Sequence, residues 1–113
     1  MANAVHMNSC LVEGVITSDL QYEVVDDGPY KGKERCYFII TSNKFTRTPS
    51  GIVKESSDFG VNSWDKVAKY CHKNGRKGRE VRITGSLKQV KWGKDDQKYS
   101  AVIIEADQID FRP

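Results

Sequence analysis

The features that mark a membrane protein or a secreted protein are missing from this sequence. No apolar run approaches the roughly 20 residues of a membrane-spanning helix, and residues 1–8 lack the charged and apolar regions of a signal peptide. The 3 cysteines, Cys10, Cys36 and Cys71, are odd in number and form no C-x-x-C pair, which argues against a disulfide framework and a zinc site. We therefore expect a soluble intracellular protein in a reducing compartment.

Motifs that carry catalysis are also missing. The sequence contains no nucleophile elbow, no phosphate-cradling glycine loop and no HExxH element. Cys71 and His72 have no further metal ligand at a useful spacing, and neither has His6. The acidic pairs at 26–27 and 95–96 lie in predicted turns, which accounts for them without catalysis. We predict no enzyme, no metal site and no cofactor.

Net charge is low and the chain is short. At 113 residues the sequence fits one domain with a single core. The formal net charge is only +3, so affinity for a polyanion has to come from local clusters of cations. The sequence shows no internal repeat and no low-complexity segment.

Strand patterns fill the first half of the chain. Residues rich in β-branched and aromatic types predict strands at 10–16, 21–25, 35–41 and 52–61, separated by turn clusters at 26–29 and 46–51. Gly14 interrupts the first of these strands, which indicates a bulge or a sharp bend. Bent strands are typical of small barrels.

The period of the apolar residues then changes to that of a helix. Apolar positions recur at i, i+3, i+4 and i+7, at Trp64, Val67, Ala68 and Cys71. Asn62 or Ser63 is a candidate N-cap, and Asn74–Gly75 is a candidate end. Strands at 79–92 and 98–105 follow, joined by a polar turn at 93–96.

This order of elements predicts an all-β OB fold. We expect a five-stranded barrel with one short α-helix between strands 3 and 4 and an extended hairpin between strands 4 and 5. In the fourth strand, period-two alternation puts Val81, Ile83 and Leu87 on the core face and Trp92 on the opposite, basic face with Lys88. Trp92 is then either a base-stacking residue or a rim residue that covers a seam between the last strands.

Several motifs of the sequence resemble those of one known family, the bacterial-type single-stranded DNA-binding proteins (SSB). The segment KGREVRITGSL at 77–87, followed by Trp92 and Tyr99, resembles the family's Lys-Gly, apolar-x-apolar-x-Gly-x-Leu and Trp pattern. Weaker matches follow in the family's order: Asn8 with LVEG at 11–14, ITSN at 40–43 and WDKVA at 64–68. The resemblance covers residues 8–111 as an OB-fold single-stranded DNA-binding domain, with 1–7 as a flexible N-terminal extension.

The resemblance implies which aromatic side chains stack on bases. Trp92 resembles the family aromatic after strand four, Trp64 the one where the helix begins, and Phe45 the one after strand two. Phe45 is also expected in a flexible loop, where an aromatic ring has little core to enter. Phe59 resembles the strand-three aromatic or else points into the barrel, and Trp64 is either a groove residue or a plug of the barrel.

Cationic side chains near these aromatics are candidates for phosphate contacts. Surface lysines are also common in any soluble domain and protect strand edges, so the prediction depends on their clustering with the aromatics. The candidates are Lys44, Arg47, Lys54, Lys66, Arg82, Lys88 and Lys91. One departure from the family lies beside Lys66, where Asp65 replaces the usual glycine and adds a negative charge.

The predicted function is non-enzymatic, largely sequence-independent binding and protection of single-stranded DNA in replication, recombination or repair. The alternative is an OB-fold interaction module, such as a primosome-like accessory subunit with secondary nucleic-acid binding. The resemblance implies a homo-oligomer, a tetramer before a dimer, in the bacterial cytoplasm or nucleoid, and leaves a phage or plasmid origin open. Single-stranded RNA is a further candidate ligand, and no membrane is expected.

Family members usually continue into a Gly/Gln/Pro-rich linker and an acidic tip that recruits replication and repair proteins. The 113 residues contain neither. A tail-less relative and a truncated chain both remain open, and so do partners of that kind.

Overall fold

Strands account for most of the chain because β-branched and aromatic residues alternate with polar ones over long stretches. A computed structural model describes residues 5–94 and 96–113. Its elements, in chain order, are β1 (Cys10–Ile16), β2 (Gln21–Val24), β3 (Glu34–Thr48), β4 (Gly51–Trp64), α1 (Asp65–Asn74), β5 (Glu80–Lys94) and β6 (Gln97–Phe111).

The strands β1, β5, β6, β4 and β3 form a closed barrel. They are hydrogen-bonded in that order, and β1 also pairs with β3, which closes the ring, while β2 flanks β3. Neighbouring strands are antiparallel except β4 and β6, which run parallel where Val61 faces Ile104. Since α1 lies between the third and fourth strands of this five-stranded barrel, the predicted OB architecture is confirmed.

Gly14 lies where β1 changes partner. Residues 10–15 pair with β5, and Val15 and Ile16 pair with β3. A Cβ atom at Gly14 would stand 2.7 Å from the carbonyl oxygen of Thr41, so the strand can turn this corner only with glycine. Of the bulge and the bend that the sequence predicts, a bulge is ruled out in the β1–β5 pairing, because its register is continuous through Gly14; what the strand does here is change partner.

The core consists of alternate residues of the strands together with one face of α1. On β3 the buried residues are Cys36, Phe38 and Ile40, all fully inaccessible to solvent. On α1 they are Ala68 and Cys71, as the apolar spacing predicts. Burial raises the pKa of the Cys36 thiol to about 11 and that of the Cys71 thiol to about 12, so both remain neutral in the core.

The predicted N-cap of α1 is wrong. The N-cap residue is Trp64, and it makes no side-chain capping bond. Asn62 and Ser63 are instead buried residues near the end of β4, and the Ser63 hydroxyl donates to the carbonyl of Cys36 at 3.0 Å. The helix ends as predicted at Asn74, where the Gly75 amide donates to the carbonyl of Cys71 at 2.7 Å.

Two long hairpins project past the barrel. β3 and β4 continue to Thr48 and from Gly51, so the chain reverses at 49–50 and not over the wider cluster that the sequence predicts. β5 pairs with β1 only as far as Gly85. Leu87, predicted on the core face, is 49% exposed, because β5 has no β1 neighbour to cover it there.

Two predicted segments fall partly outside the described residues. Residues 1–4 of the predicted N-terminal extension and Asp95 of the predicted 93–96 turn are not described. Residues 5–9 are exposed and precede β1. Across residues 5–94 and 96–113, no helix has the length and apolar character needed to cross a bilayer.

Candidate nucleic-acid interface

The strand register places two of the predicted aromatics on one face of the β3–β4 hairpin. Residues directly opposite in an antiparallel pair point to the same side of the sheet. Phe45 is opposite Lys54, and Trp64 is opposite Arg35. Because the odd-numbered residues of β3 alternate with the buried Phe38, this side is the outside of the barrel.

The same outer surface continues across β6 and β5. Asn62 of β4 is beside Glu105 of β6, and Glu105 is opposite Ser86 of β5. Alternation from Ser86 then leads to Lys88 and Trp92 on that side. We call this surface the outer aromatic face; its rings are Tyr37, Phe45, Trp64, Trp92 and Tyr99.

Trp92 lies on the β5–β6 hairpin. Its side chain is 54% exposed, and its ring stacks on that of Tyr99, with centroids 5.9 Å apart and planes 23° apart. Tyr99 is the cross-strand neighbour of Trp92. The hairpin therefore presents a pair of flat rings outside the barrel, which is the kind of surface on which bases stack.

Trp64 is half-buried on the outer aromatic face and does not plug the barrel. Its indole Nε1 donates to Glu105 at 3.5 Å. Glu105 also accepts from the Asn62 amide at 3.1 Å and pairs with Lys88 at 3.1 Å. The ring of Tyr30 stacks on the indole, with centroids 5.0 Å apart and an interplanar angle of 28°. Trp64 is thus held in place from one side and covered by a second ring.

Phe45 is 70% exposed, but the prediction of a loop at this position is wrong. It belongs to β3, whose arm continues to Thr48. Lys54 is directly opposite, and Arg47 follows two residues later on the same side. The arm of the hairpin therefore carries an exposed ring between two cations.

Phe59 points into the barrel, which is one of the two placements that the sequence allows. It is opposite Ile40, a fully buried residue, and it packs against the core cluster. Its ring therefore belongs to the inside of the barrel, and we assign it to the core.

The structure groups three of the predicted cations with exposed rings. Arg47 and Lys54 flank Phe45. Lys88 lies beside the Trp64 region, but its ammonium group is 3.1 Å from a Glu105 oxygen, which offsets part of its charge. These three are the predicted cations that share the outer aromatic face with rings.

Four predicted cations lie elsewhere. Lys44 and Lys91 are exposed, but alternation puts them on the opposite sides of their strands from Phe45 and Trp92. Lys66 lines a shallow pocket between α1 and residues 107–110 of β6. The predicted cluster is therefore smaller than the sequence suggests.

Arg82, the fourth of these cations, is on the same side of β5 as Lys88 and Trp92, but it belongs to an ion-pair cluster with β1. Its guanidinium is 3.0 Å from Glu13, which Arg112 also contacts. Hydrogen bonds from Arg112 and then Arg82 lower the pKa of the Glu13 carboxyl below its usual value. Along β5, Arg82 lies ten residues from Trp92, on the order of 33 Å.

Sequence reasoning missed two residues of this surface. Tyr37 lies over Gly60, where a Cβ would collide with its hydroxyl, and Arg35 stands 5.6 Å above the Tyr37 ring. Alternation with the buried Cys36 and Phe38 was the signal that places Tyr37 outward. Tyr30 was missed as well, although it follows a turn cluster and so meets the argument that selected Phe45.

The fold and the surface together define a class of protein. A closed five-stranded barrel with a helix between its third and fourth strands is an OB fold, and exposed rings beside cations on a strand face suit a nucleic-acid binder. The model described as "Single-strand binding protein family" matches residues 7–112. The chain belongs to this family.

Two known proteins of similar sequence are named as single-stranded DNA-binding proteins. Single-stranded DNA-binding protein 2 of Chlorobaculum tepidum is 29% identical over 107 residues, which cover 93% of this chain and 70% of that protein. A single-stranded DNA-binding protein of Treponema pallidum is 23% identical over 103 residues, which cover 91% of this chain and 56% of that protein. The chain thus spans part of the length of each relative.

Solved structures share the fold. A Plasmodium falciparum SSB complex with single-stranded DNA has a TM-score of 0.84 at 20% identity and covers 99% of this chain and 100% of that one. In the part of this chain that the structure describes, no three or more His, Cys, Asp or Glu side chains are grouped so as to hold a metal ion.

Proposed function

We propose that this protein binds single-stranded DNA with little sequence preference and without catalysis, and that it protects such DNA in replication, recombination or repair. The observation that carries the proposal is the shared outward side of the exposed rings Trp92 and Phe45, on two hairpins that project past the barrel. Membership of the single-strand binding family supports it.

Two physical contributions explain such binding. Each base stacked on an aromatic ring contributes on the order of 1–3 kcal/mol, and every base offers a ring face, so little sequence preference follows. Arg47 and Lys54 neutralise phosphates beside Phe45, and the released counterions make the affinity depend on salt. Since DNA and RNA share the ring faces of their bases, we propose single-stranded RNA as a further ligand.

A titration with labelled oligo-dT at several salt concentrations tests the proposal. Anisotropy of the label is the readout, because removing Trp92 also removes one of the 2 tryptophan fluorophores. We expect binding at low salt, and a slope of log affinity against log salt of about −0.7 for each phosphate contacted. Absence of binding at low salt would end the proposal.

The assignment of Trp92 has its own variant and control. Trp92→Ala removes an exposed ring and should weaken binding by the value of about one stacked base, roughly 1–3 kcal/mol. Tyr70→Ala is the matched control, because Tyr70 is an exposed aromatic on α1 that packs beside Phe111, away from the hairpins. Equal losses in the two variants would contradict the assignment.

We also propose that the protein forms a homo-oligomer, with a tetramer favoured over a dimer, and that it acts in the bacterial cytoplasm. The support for self-association is the exposure of three apolar side chains at or near β1, namely Met7, Leu11 and Leu87. Their side chains are 96%, 66% and 49% exposed. Asn8 ties the segment before β1 to β5, since its side-chain amide accepts from the Leu87 N–H at 2.8 Å and donates to the Leu87 carbonyl at 2.7 Å.

A further inference from the structure

Tyr30 covers a ring that the resemblance places among the stacking residues. It lies in the loop between β2 and β3, and its ring stacks on the indole of Trp64. The Tyr30 side chain is 45% exposed, and the Trp64 side chain is exposed to a smaller extent. Tyr30 is therefore the outer ring of a two-ring stack.

The inner ring of this stack is fixed. Trp64 is attached to the barrel through its indole Nε1, which donates to Glu105 at 3.5 Å, and it is the last residue of β4. Glu105 is itself held by Asn62 on the neighbouring strand at 3.1 Å. A ring that rests on such a support loses little freedom when a ligand stacks on its other side.

The loop that carries Tyr30 is closed by its own backbone. The amide of Val25 donates to Lys33 at 2.9 Å, and the amide of Gly32 donates back to Val25 at 2.7 Å. The amide of Lys33 donates to the carbonyl of Tyr30 at 3.0 Å. These bonds argue for a preformed platform and against a mobile flap that leaves when DNA arrives.

Two cations stand beside the exposed ring. The ammonium groups of Lys33 and Lys88 each lie 5.8 Å from the centroid of Tyr30. Such a distance fits a cation–π contact over the ring, so a base that stacks on Tyr30 displaces an ammonium group toward its own phosphate. Because Lys88 also pairs with Glu105, Lys33 is the better phosphate contact of the two.

We propose that Tyr30 is a base-stacking residue of this interface, that Trp64 is its supporting residue, and that Lys33 contacts the phosphate of the stacked nucleotide. The proposal rests on the proposed function. It adds a stacking position on the same side of β5 as Trp92, since Lys88 precedes Trp92 by four residues, on the order of 13 Å.

The variants Tyr30→Ala, Tyr30→Leu, Tyr30→Phe and Lys33→Gln test the proposal by anisotropy with labelled oligo-dT. Tyr30→Ala and Tyr30→Leu should each weaken binding by between about 5-fold and 150-fold, the effect of one stacked base. Tyr30→Leu keeps an apolar cover on Trp64 and so separates stacking from support. Tyr30→Phe should bind as the wild type does, and Lys33→Gln should make the salt slope shallower by about 0.7.

A spectroscopic variant gives an independent readout. Tyr30→Trp combined with Trp64→Phe and Trp92→Phe makes residue 30 the single indole of the chain, and its fluorescence should be quenched by oligo-dT. Tyr70→Ala serves again as the control, and thermal melting of each variant checks that it is folded.

The outcomes separate this proposal from the proposed function. If the wild type does not bind, the proposed function fails. If the wild type binds and both Tyr30→Ala and Tyr30→Leu bind equally well, only the role of Tyr30 fails. Tighter binding by Tyr30→Ala would also overturn it, because Tyr30 would then be a cover that competes with bases for Trp64.

Discussion

At the scale of single residues, Asp65 combines an unfavourable backbone conformation with an unusual side chain. Its φ of 52° lies in the left-handed region, which no other non-glycine residue adopts within 5–94 and 96–113. Aspartate tolerates this region better than most residues, but glycine enters it without cost. The family that the sequence resembles usually has glycine here, and the left-handed φ at this position supplies the physical reason.

Replacing Asp65 with glycine should therefore stabilise the protein. Left-handed geometry costs an ordinary L-residue about 1–2 kcal/mol, and glycine returns about 0.4–1 kcal/mol through the greater freedom of its unfolded chain. We expect a gain of up to about 1 kcal/mol in the free energy of unfolding, measured with urea. Asp65→Ala is the control and should lose stability. A loss in Asp65→Gly would mean that the Asp65 bond to the Glu34 amide, at 3.4 Å, outweighs the strain.

The cysteines should differ in reactivity. Cys36 and Cys71 are fully buried, whereas Cys10 is partly exposed. Because burial raises the pKa of the first two thiols to about 11 and about 12, neither forms a thiolate between pH 7 and 9. Ellman's reagent should thus modify one thiol per native chain quickly in that range and all 3 in denaturant. Fast reaction of a second thiol at pH 8 would contradict this burial.

For these thiols the pH dependence has a definite sign. A group whose folded pKa is raised contributes stability that is complete below the unfolded pKa, near 9, and is lost as pH rises toward the folded value. The protein should therefore lose stability between about pH 9 and 12, and Cys36→Ser should not share all of that loss.

At the scale of elements, the β3–β4 hairpin carries a residue whose replacement should affect DNA binding but not folding. Phe45 is exposed on an arm that projects past the barrel. Phe45→Ala should weaken oligo-dT binding by roughly 1–3 kcal/mol and leave the melting temperature nearly unchanged. Thr46→Ala, on the opposite side of the strand, is the control and should bind normally. A large drop in melting temperature for Phe45→Ala would show that the ring supports the barrel.

The strands inside the barrel were predictable because burial imposes a period. Residues 10–16 were predicted with the bounds that β1 has in the structure. The arms of the hairpins were not predictable, because past the barrel both sides of a strand are exposed and the alternation of polar and apolar residues disappears. This is why Phe45 was expected in a loop and why Leu87 was expected in the core.

The site was predictable only where one strand contains the signal. Alternation alone put Trp92 outside, and the structure agrees. By contrast, Arg82 depends on Glu13 on β1, and Trp64 depends on Tyr30 from a loop. Such contacts join residues far apart in sequence, and no local period predicts them. Phe59 is a further example of a residue that local sequence could not place, since the register of β4 with Ile40 on β3 decides to which side of the sheet its ring points.

At the scale of the whole molecule, the barrel has two different surfaces. The outer aromatic face carries the exposed rings and their cations. The outward side of β1 carries the exposed Leu11 beside the ion-pair cluster of Glu13. A second copy that covers Leu11, which is opposite Thr84, would leave Trp92 open to DNA, because Trp92 lies eight residues further along β5, on the order of 26 Å. Self-association and stacking on Trp92 then use different residues.

Leu11→Glu tests this arrangement. Leu11 is on β1 opposite Thr84 and points out of the barrel, so a charge there should not disturb the core. If Leu11 lies in the interface between copies, burying the new carboxylate is costly, and light scattering should show a smaller assembly than the wild type forms. Ile52→Glu is the control, since Ile52 is 68% exposed on the β3–β4 hairpin.

The same variant should bind long and short DNA differently. A DNA strand long enough to contact several barrels of one assembly gains affinity through effective concentration, by about 100-fold or more. A DNA strand that fits one barrel gains no affinity in this way. We therefore expect Leu11→Glu to bind a short oligo-dT as the wild type does and a long oligo-dT more weakly, in the same anisotropy assay. Equal weakening with both lengths would mean that Leu11 acts within one chain, and a wild type that scatters as a monomer at every concentration would exclude Leu11 as an interface residue.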